Sequence, residues 1–380
     1  MTITAYSDKF GVELDTVQLL SRLGHDVKHD PALKKVGSKL RELIHSDIKC
    51  PSCGVVGANI VAGSFSEKLN RCTRQPHFRF TFSNGEDGHD KFCDLSENQE
   101  LKDHSELKVN FSRSNSNITK YIANLTCVAM ENNLITHSDL RKIRQWHFDK
   151  KKSKIVNISV THQQCFDYQT YRLYKNYEVD EFQPEYGLLD NIPWRKYAIS
   201  RFMKKNSALI NKLHSPTSTT QRHVKEDKIA SALKNIRGGS FDVRVFESEY
   251  LKVRKFRDFV ISDAIGHSRY KSTPSTEKYI DAFLALLLSK KEWDLNGAIR
   301  LFIKITTLGE ARDKNIGNII SLTPFVDFEV YKLILDANDL SKELSILGAF
   351  QDNIKQEVQN LKLEFETWEF LYSGSYNENI

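Results

Sequence analysis

Cys50-Pro51-Ser52-Cys53-Gly54 constrains this chain more than any other run of residues in it. Two thiols two residues apart, with a glycine directly after, make a tight knuckle that aims both sulfurs at one point, half of a tetrahedral metal site. A closed site needs two more donors. Cys72, His77, His89 and Cys93 stand within reach, and His89-Asp90-Lys91-Phe92-Cys93 has the three-residue spacer of a second half-site. The preferred set is Cys50, Cys53, His89 and Cys93 around a structural Zn2+, with Cys72 and His77 as substitutes. Two other uses of the thiols stay open. A thioredoxin-like redox pair would want a helix directly after the motif, whereas Gly54, Gly57 and Gly63 follow. Unmetallated buried thiols are the other. Because residues 47–95 hold few apolar side chains, their folding is expected to depend on metal.

The rest of the chain reads as ordinary globular sequence. At 380 residues it is long enough for two or three domains, and 40% hydrophobic with 27% charged residues excludes collagen-like, low-complexity and disordered chains. No run approaches about 18 apolar residues, and residues 1–10 lack the basic flank and apolar stretch of a signal peptide. A soluble, cytoplasmic protein without a membrane partner is expected. The net charge of +6 is mild, so where the cations sit matters more than their number.

Periodicity places helices along most of the chain. Leu33, Val36, Leu40, Leu43 and Ile44 predict one over 31–46, and Ile118, Tyr121, Ile122, Leu125 and Val128 another over 117–130. A further helix is expected from Ser138, as N-cap, to about Asp149. Residues 154–160 resemble a strand, and the Tyr- and Phe-rich 161–192 has no clear period. Helices are expected over 192–214, 224–236, 277–289, 294–307 and 324–336, with a β-like run at 241–246 followed by a basic amphipathic stretch at 247–262. The polar turn 215–220 is the best linker. The expected organisation is an N-terminal module over 1–112, a mixed middle region over 113–214 and a helical domain over 215–380. The fold class is α+β, mainly helical.

The last stretch, 338–372, carries a heptad pattern. Leu340, Leu344, Leu347, Gln351, Ile354, Val358, Leu361, Phe365 and Trp368 alternate four- and three-residue steps. That is the a/d seam of one long amphipathic helix, with a polar core position at Gln351. Its partner is a helix of the same chain, a second copy, or another protein.

Two basic segments are candidates for phosphate contact. One holds Arg141, Lys142, Arg144, Lys150, Lys151 and Lys152, interleaved with Trp146, His147 and Phe148. The other holds Lys252, Arg254 and Lys255. Cations of this kind can track phosphates and neighbouring aromatics can stack on unpaired bases, though a solvated face gives the same pattern. A nuclease would need carboxylates to hold Mg2+ and a lysine to orient water. Asp242, Glu247, Glu249 and Lys252 have those chemical types but a Glu-x-x-Lys step and short acid spacing. His162 near Cys165 has the composition, without the context, of a thiol–imidazole pair.

Residues 44–95 resemble the N-terminal segment of competence protein CoiA and its relatives. The likeness rests on Cys50-Pro51-Ser52-Cys53, then Gln75-Pro76-His77-Phe78-Arg79-Phe80, then His89 and Cys93, in that order. The segment 54–74 is a long insertion that adds Cys72, and Phe80 stands where the family has a histidine. The resemblance implies a bacterial protein that handles foreign DNA in transformation or defence, from a family described as nuclease-like. The resulting expectation is a non-catalytic zinc-binding subunit that touches DNA through its basic faces and a protein partner or second copy through its last helix. A Mg2+-dependent nuclease and a scaffold without nucleic acid are the alternatives.

Overall fold

A computed structural model of the chain describes residues 2, 4–66, 68, 71–82, 84–90, 92, 93, 95, 96, 108, 109, 117–213, 223–236, 240–264, 274–312, 321, 322, 324, 325 and 327–376. It is mostly helical with a few small antiparallel sheets, in keeping with a mainly helical α+β class. Contacts divide it into two compact units, each built from two stretches of chain: Met1–Ile155 with Phe241–Val326, and Val156–Ser240 with Asp327–Ile380. The boundaries expected near 112 and 214, and the linker at 215–220, lie outside the described residues.

The first unit begins with a three-stranded sheet. Thr4–Ser7 (β1) pairs with Val12–Asp15 (β2), Ala5 opposite Leu14. Helix α1 (Thr16–Arg22) follows from a capping box between Asp15 and Gln18. Helix α2 covers Ser38–Asp47 and so begins later than its periodicity suggests. The reason is local: the Asp30 carboxylate accepts the backbone N–H groups of Lys34 and Lys35, at 2.9 and 2.7 Å, and Leu33 is buried at a φ of 56°. A turn stabilised by an acidic side chain replaces the first helical turns. Ile48–Lys49 (β3) completes the sheet beside β1.

Ala58–Val61 (β4), Ser64–Ser66 (β5), Arg71–Arg74 (β6) and His77–Phe80 (β7) nest one hairpin inside another, with β4 on β7 and β5 on β6. Ile60 stands opposite Phe78. Lys108–Val109 (β8) precedes helix α3 (Asn117–Glu131), which lies where its period put it. Helix α4 runs from His137 to Ser153 and is capped by Thr136, with Asp139 returning the bond, so Ser138 is inside the helix and not its cap. Leu14, Leu19, Leu20, Leu33, Ile44, Phe78, Phe80 and Phe148 of α4 form one buried cluster that also takes in Cys50 and Cys93. The module therefore has a core that residues 47–95 alone do not reveal. Elements before Cys50, together with α4, supply much of it.

Ile155–Val156 (β9) replaces the longer strand expected over 154–160, and α5 (His162–Leu173) forms in the aromatic stretch that showed no period. Thr161 and Gln164 cap α5 reciprocally. The helix expected over 192–214 is two: α6 (Trp194–Lys205) and α7 (Ser207–Lys212), broken at Asn206. Helix α8 is Glu226–Asn235.

Ser240–Phe241 (β10) is all that is strand of the β-like run 241–246. Asp242 caps a 3-10 turn, Val243–Phe246, which leads into α9 (Glu247–Phe259). In the first unit α10 (Pro274–Lys290) is central, its Ile280–Leu288 stretch buried almost throughout against α3, α4, α9 and α11 (Leu295–Thr306). Ser321–Leu322 (β11) pairs with β8.

The expected single C-terminal helix is also corrected. Phe328–Asp339 (α12), Ser341–Leu347 (α13) and Phe350–Tyr376 (α14) are separate, and Leu340 lies between the first two. Gly348, at φ 75° and ψ −171°, ends α13 in a conformation open to glycine. The heptad arithmetic runs unbroken across a backbone that does not. Leu344, Leu347, Ile354 and Leu361 are buried, Val358, Phe365 and Trp368 half-buried. α14 packs against α6 of its own unit, where Arg195 donates to Gln351 (2.9 Å), Arg201 pairs with Glu364 (2.6 Å), and Trp194 meets Phe365. No helix among the described residues is long and apolar enough to cross a membrane.

Candidate metal centre

Cys50 leaves β3, and the turn after it folds back on itself. Its N–H donates to the Val55 carbonyl (2.8 Å), its carbonyl accepts from Gly54 N–H (3.1 Å), and the Ser52 N–H points at its sulfur (3.4 Å). Gly54 closes this knuckle at a φ of 74°, which is why a glycine follows the second thiol.

A second knuckle repeats the arrangement at Cys93. Cys93 N–H donates to the Asp90 carbonyl (2.9 Å), Ser96 N–H to the Cys93 carbonyl (3.1 Å), and Leu95 N–H points at the Cys93 sulfur (3.4 Å). Acidic side chains brace the turn: Asp87 accepts from the His89 N–H and from Ser96 Oγ, and Asp90 from the Phe92 N–H. The Phe80 ring, 5.0 Å away, backs the His89 imidazole.

The two knuckles face each other. Cys50 Sγ is 3.7 Å from Cys93 Sγ, and His89 Nδ1 is 3.6 Å from Cys53 Sγ and 3.5 Å from Cys93 Sγ. All four donor atoms lie within 4.8 Å of one another, a group that could hold a metal ion. Cys50 and Cys93 are buried, Cys53 and His89 half-buried. Burial, then contact with the other two sulfurs, pushes the Cys50 thiol well up. Cys93 is pushed up to about 12: its hydrogen bond with Cys50 favours the thiolate but is outweighed by the contact with Cys53 and by burial. Cys53 goes down, held by hydrogen bonds from Cys50 and Cys93. Three sulfurs this close cannot all ionise by themselves, and a bound cation supplies the charge that lets them.

Of the substitutes, His77 does not join this group. His77 starts β7 with its ring buried and Nδ1 3.4 Å from the Gln75 carbonyl, and burial lowers its pKa. Cys72 is in β6, and its side chain lies outside the described residues.

The basic residues read as phosphate contacts are mostly occupied within their own unit. Arg144 makes a two-pronged bond to Glu13 (2.7 and 2.8 Å), and Arg141 lies 3.6 Å over the Tyr6 ring. Lys150 reaches Glu249 (3.1 Å) and the Val245 carbonyl (3.0 Å). Lys151, only 4% exposed, has its Nζ 3.5 Å from the Phe92 carbonyl, and Lys152 pairs with Asp90 at 2.9 Å. Lys252 donates to the Trp293 carbonyl (3.0 Å), and Arg254 sits over Tyr250. Lys142 and Lys255 are exposed. The contacts that Lys151 and Lys152 make with the second knuckle could not be read from spacing, because Phe92 and Asp90 lie some sixty positions back in the chain.

The nuclease constellation takes a different form. Asp242 is buried and accepts from Arg244 N–H, Nε and Nη2 (3.0, 2.8 and 3.0 Å) while pairing with Lys154 (2.6 Å). Burial alone would raise its pKa, but these partners lower it to about 2. Glu249 is committed to Lys150 and Lys252 to a carbonyl, and Glu247 opens α9. Among the described residues, the metal-ligand types that converge are the three cysteines and the histidine, not these acids. His162 Nε2 faces the Glu226 carbonyl (3.3 Å), while Cys165 is buried with its thiol pushed up to about 12, so they form no activated pair. No protein-family model, no curated protein and no solved structure matches the chain.

Proposed function

We propose that this protein is a non-catalytic binding subunit whose N-terminal module is held together by a structural zinc ion at Cys50, Cys53, His89 and Cys93. The donor spacing carries this reading. Zn–S bonds of about 2.3 Å and a Zn–N bond of about 2.0–2.1 Å at tetrahedral angles set sulfurs about 3.8 Å apart and sulfur from nitrogen about 3.5 Å apart. The three separations, 3.7, 3.6 and 3.5 Å, fit that figure. Four protein donors fill a tetrahedron, which leaves no position for a reactive water and favours a structural role over a catalytic one.

The proposed setting is the one the CoiA resemblance implies, a bacterial complex that handles foreign DNA. Within it the chain would bind a protein partner rather than grip DNA itself. Support comes from the internal pairing of the basic residues and from the end of α14, where Leu363, Phe370 and Leu371 are 63, 84 and 65% exposed. Metal analysis of the full chain tests the centre, with one zinc per chain expected. Anisotropy with labelled duplex and single-stranded DNA, at about 50 and 200 mM salt, tests the division of labour. Weak binding with a shallow salt slope is expected. Tight binding that collapses over that range would return the DNA contact to this chain, and Mg2+-dependent cleavage would replace the reading with a nuclease.

A further inference from the structure

A divalent cation held by three thiolates and a neutral imidazole carries a net charge of −1. Two of those thiolates, Cys50 and Cys93, belong to the apolar cluster of the module. An uncompensated charge in such a place is costly, and proteins offset it with a nearby opposite charge or with hydrogen bonds. The two N–H groups aimed at sulfur do part of this. They cannot supply a whole positive charge.

Helix α4 brings two, against which the Asp90 carboxylate that pairs with Lys152 also counts. Its Phe148 joins the same cluster as Cys50 and Cys93, which fixes the last turn of the helix against the second knuckle. Lys151 reaches the carbonyl of Phe92, the residue before Cys93, and its ammonium also lies 5.4 Å from the Phe241 ring centroid. Lys152 reaches the carboxylate of Asp90, the residue after His89, and lies over Phe148. A lysine as buried as Lys151 is not on offer to a phosphate backbone.

We propose that Lys151 and Lys152 are the counter-charge of the metal centre: seated on the second knuckle through Phe92 and Asp90, their two ammonium groups together offset the Asp90 carboxylate and the single negative charge that the three thiolates leave on the bound ion. They are positioning residues and not ligands. This inference rests on the metal reading above, and it assigns to the centre part of a lysine run that resembles a nucleic-acid contact.

The test is competition for zinc between the full chain and a chromophoric chelator, using Lys151→Met, Lys152→Met and Lys151→Arg, with cobalt(II) absorption as a check on the donor set. Outer-shell partners of metal ligands are worth about 10–100-fold in affinity, so each methionine variant should hold zinc that much more weakly. Lys151→Arg should restore most of the loss, and the cobalt spectrum should stay that of a three-sulfur, one-nitrogen tetrahedron. The Lys152 effect should shrink at high salt, since that side chain is exposed, whereas the Lys151 effect should persist. Affinities within about twofold of the unaltered chain, or losses that arginine does not rescue, would overturn the proposal. If Lys151→Met does not fold, Lys152→Met decides the matter alone. An unaltered chain that takes up no zinc or cobalt would overturn the metal reading itself, a result distinct from failure of the lysine variants.

Discussion

Cys50 Sγ and Cys93 Sγ lie 3.7 Å apart, although 43 positions separate them in the chain. Between them run β4 to β7 and both turns that present His89 and Cys53, so one ion would tie the start of this stretch to its end. Removing such a tie would reopen a long loop and leave two buried sulfurs and a half-buried one crowded together.

A strong chelator should therefore lower the melting temperature of the protein. A ligand present at about 1,000 times its dissociation constant contributes roughly 4 kcal/mol to the folded state, and chelation removes that contribution. Hydrogen exchange should show the loss first at amides of 48–96, with α12 and α14 protected as before. Because the cluster around Leu19, Phe78 and Phe80 remains, partial rather than complete unfolding of the module is expected.

Acid should act through Asp242. Its carboxyl titrates at about 2 in the folded protein against 3.8 for the free group, since bonds from Arg244 and Lys154 outweigh the cost of burial. An acid with a lowered folded pKa stabilises above its unfolded value and loses that contribution as pH falls from about 4 to about 2. The difference amounts to about 2 kcal/mol. Asp242→Asn should flatten the acid limb of a stability–pH curve by about that much. A profile identical to the unaltered protein below pH 4 would show that the cluster contributes nothing.

Gly348→Ala should be destabilising by roughly 1–3 kcal/mol, because a backbone with φ 75° and ψ −171° is a conformation other residues avoid. Space is not the issue: an added Cβ would meet nothing closer than 3.7 Å. Urea midpoints of the variant and the unaltered protein measure the loss. If α13 and α14 instead fused into one helix, circular dichroism would register a gain in helix, which is not expected.

Glu13→Gln should cost about 3–5 kcal/mol, as it leaves the half-buried Arg144 without its carboxylate. Any accompanying loss of DNA binding should track unfolding and leave the salt slope unchanged, because Arg144 is a structural cation of β2 and α4.

Much of the candidate metal centre was legible in the sequence, since ligand spacing is a local property and the knuckle needs its glycine nearby. Helices with a strong apolar period, such as α3 and α11, were legible for the same reason. Caps were there to be read but outvoted: Thr136 with Asp139 and Thr161 with Gln164 are both reciprocal pairs at helix starts, and the second announced a helix in a stretch that showed no period. The heptads of 338–372 misled because side-chain period says nothing of a glycine at positive φ, although Gly348 was visible. What could not be read were partnerships across the chain. Arg144 finds Glu13 and Lys152 finds Asp90, and no local pattern distinguishes such cations from ones that face solvent.

All four candidate ligands precede residue 94, yet the unit they belong to is finished only when 241–326 has been made. At translation rates of about 5–20 residues per second, some 230 residues and roughly 10–50 s separate the two events. During that interval the nascent module would have its knuckles but neither α4 in its early part nor the α9–α11 layer at all. Metal available at the ribosome would then act as a holding clasp, keeping the first hairpins in register while the inserted stretch is synthesised. With zinc at this centre, the order in which the chain emerges would make zinc supply a factor in how much protein reaches the folded state, over and above how stable it is once there.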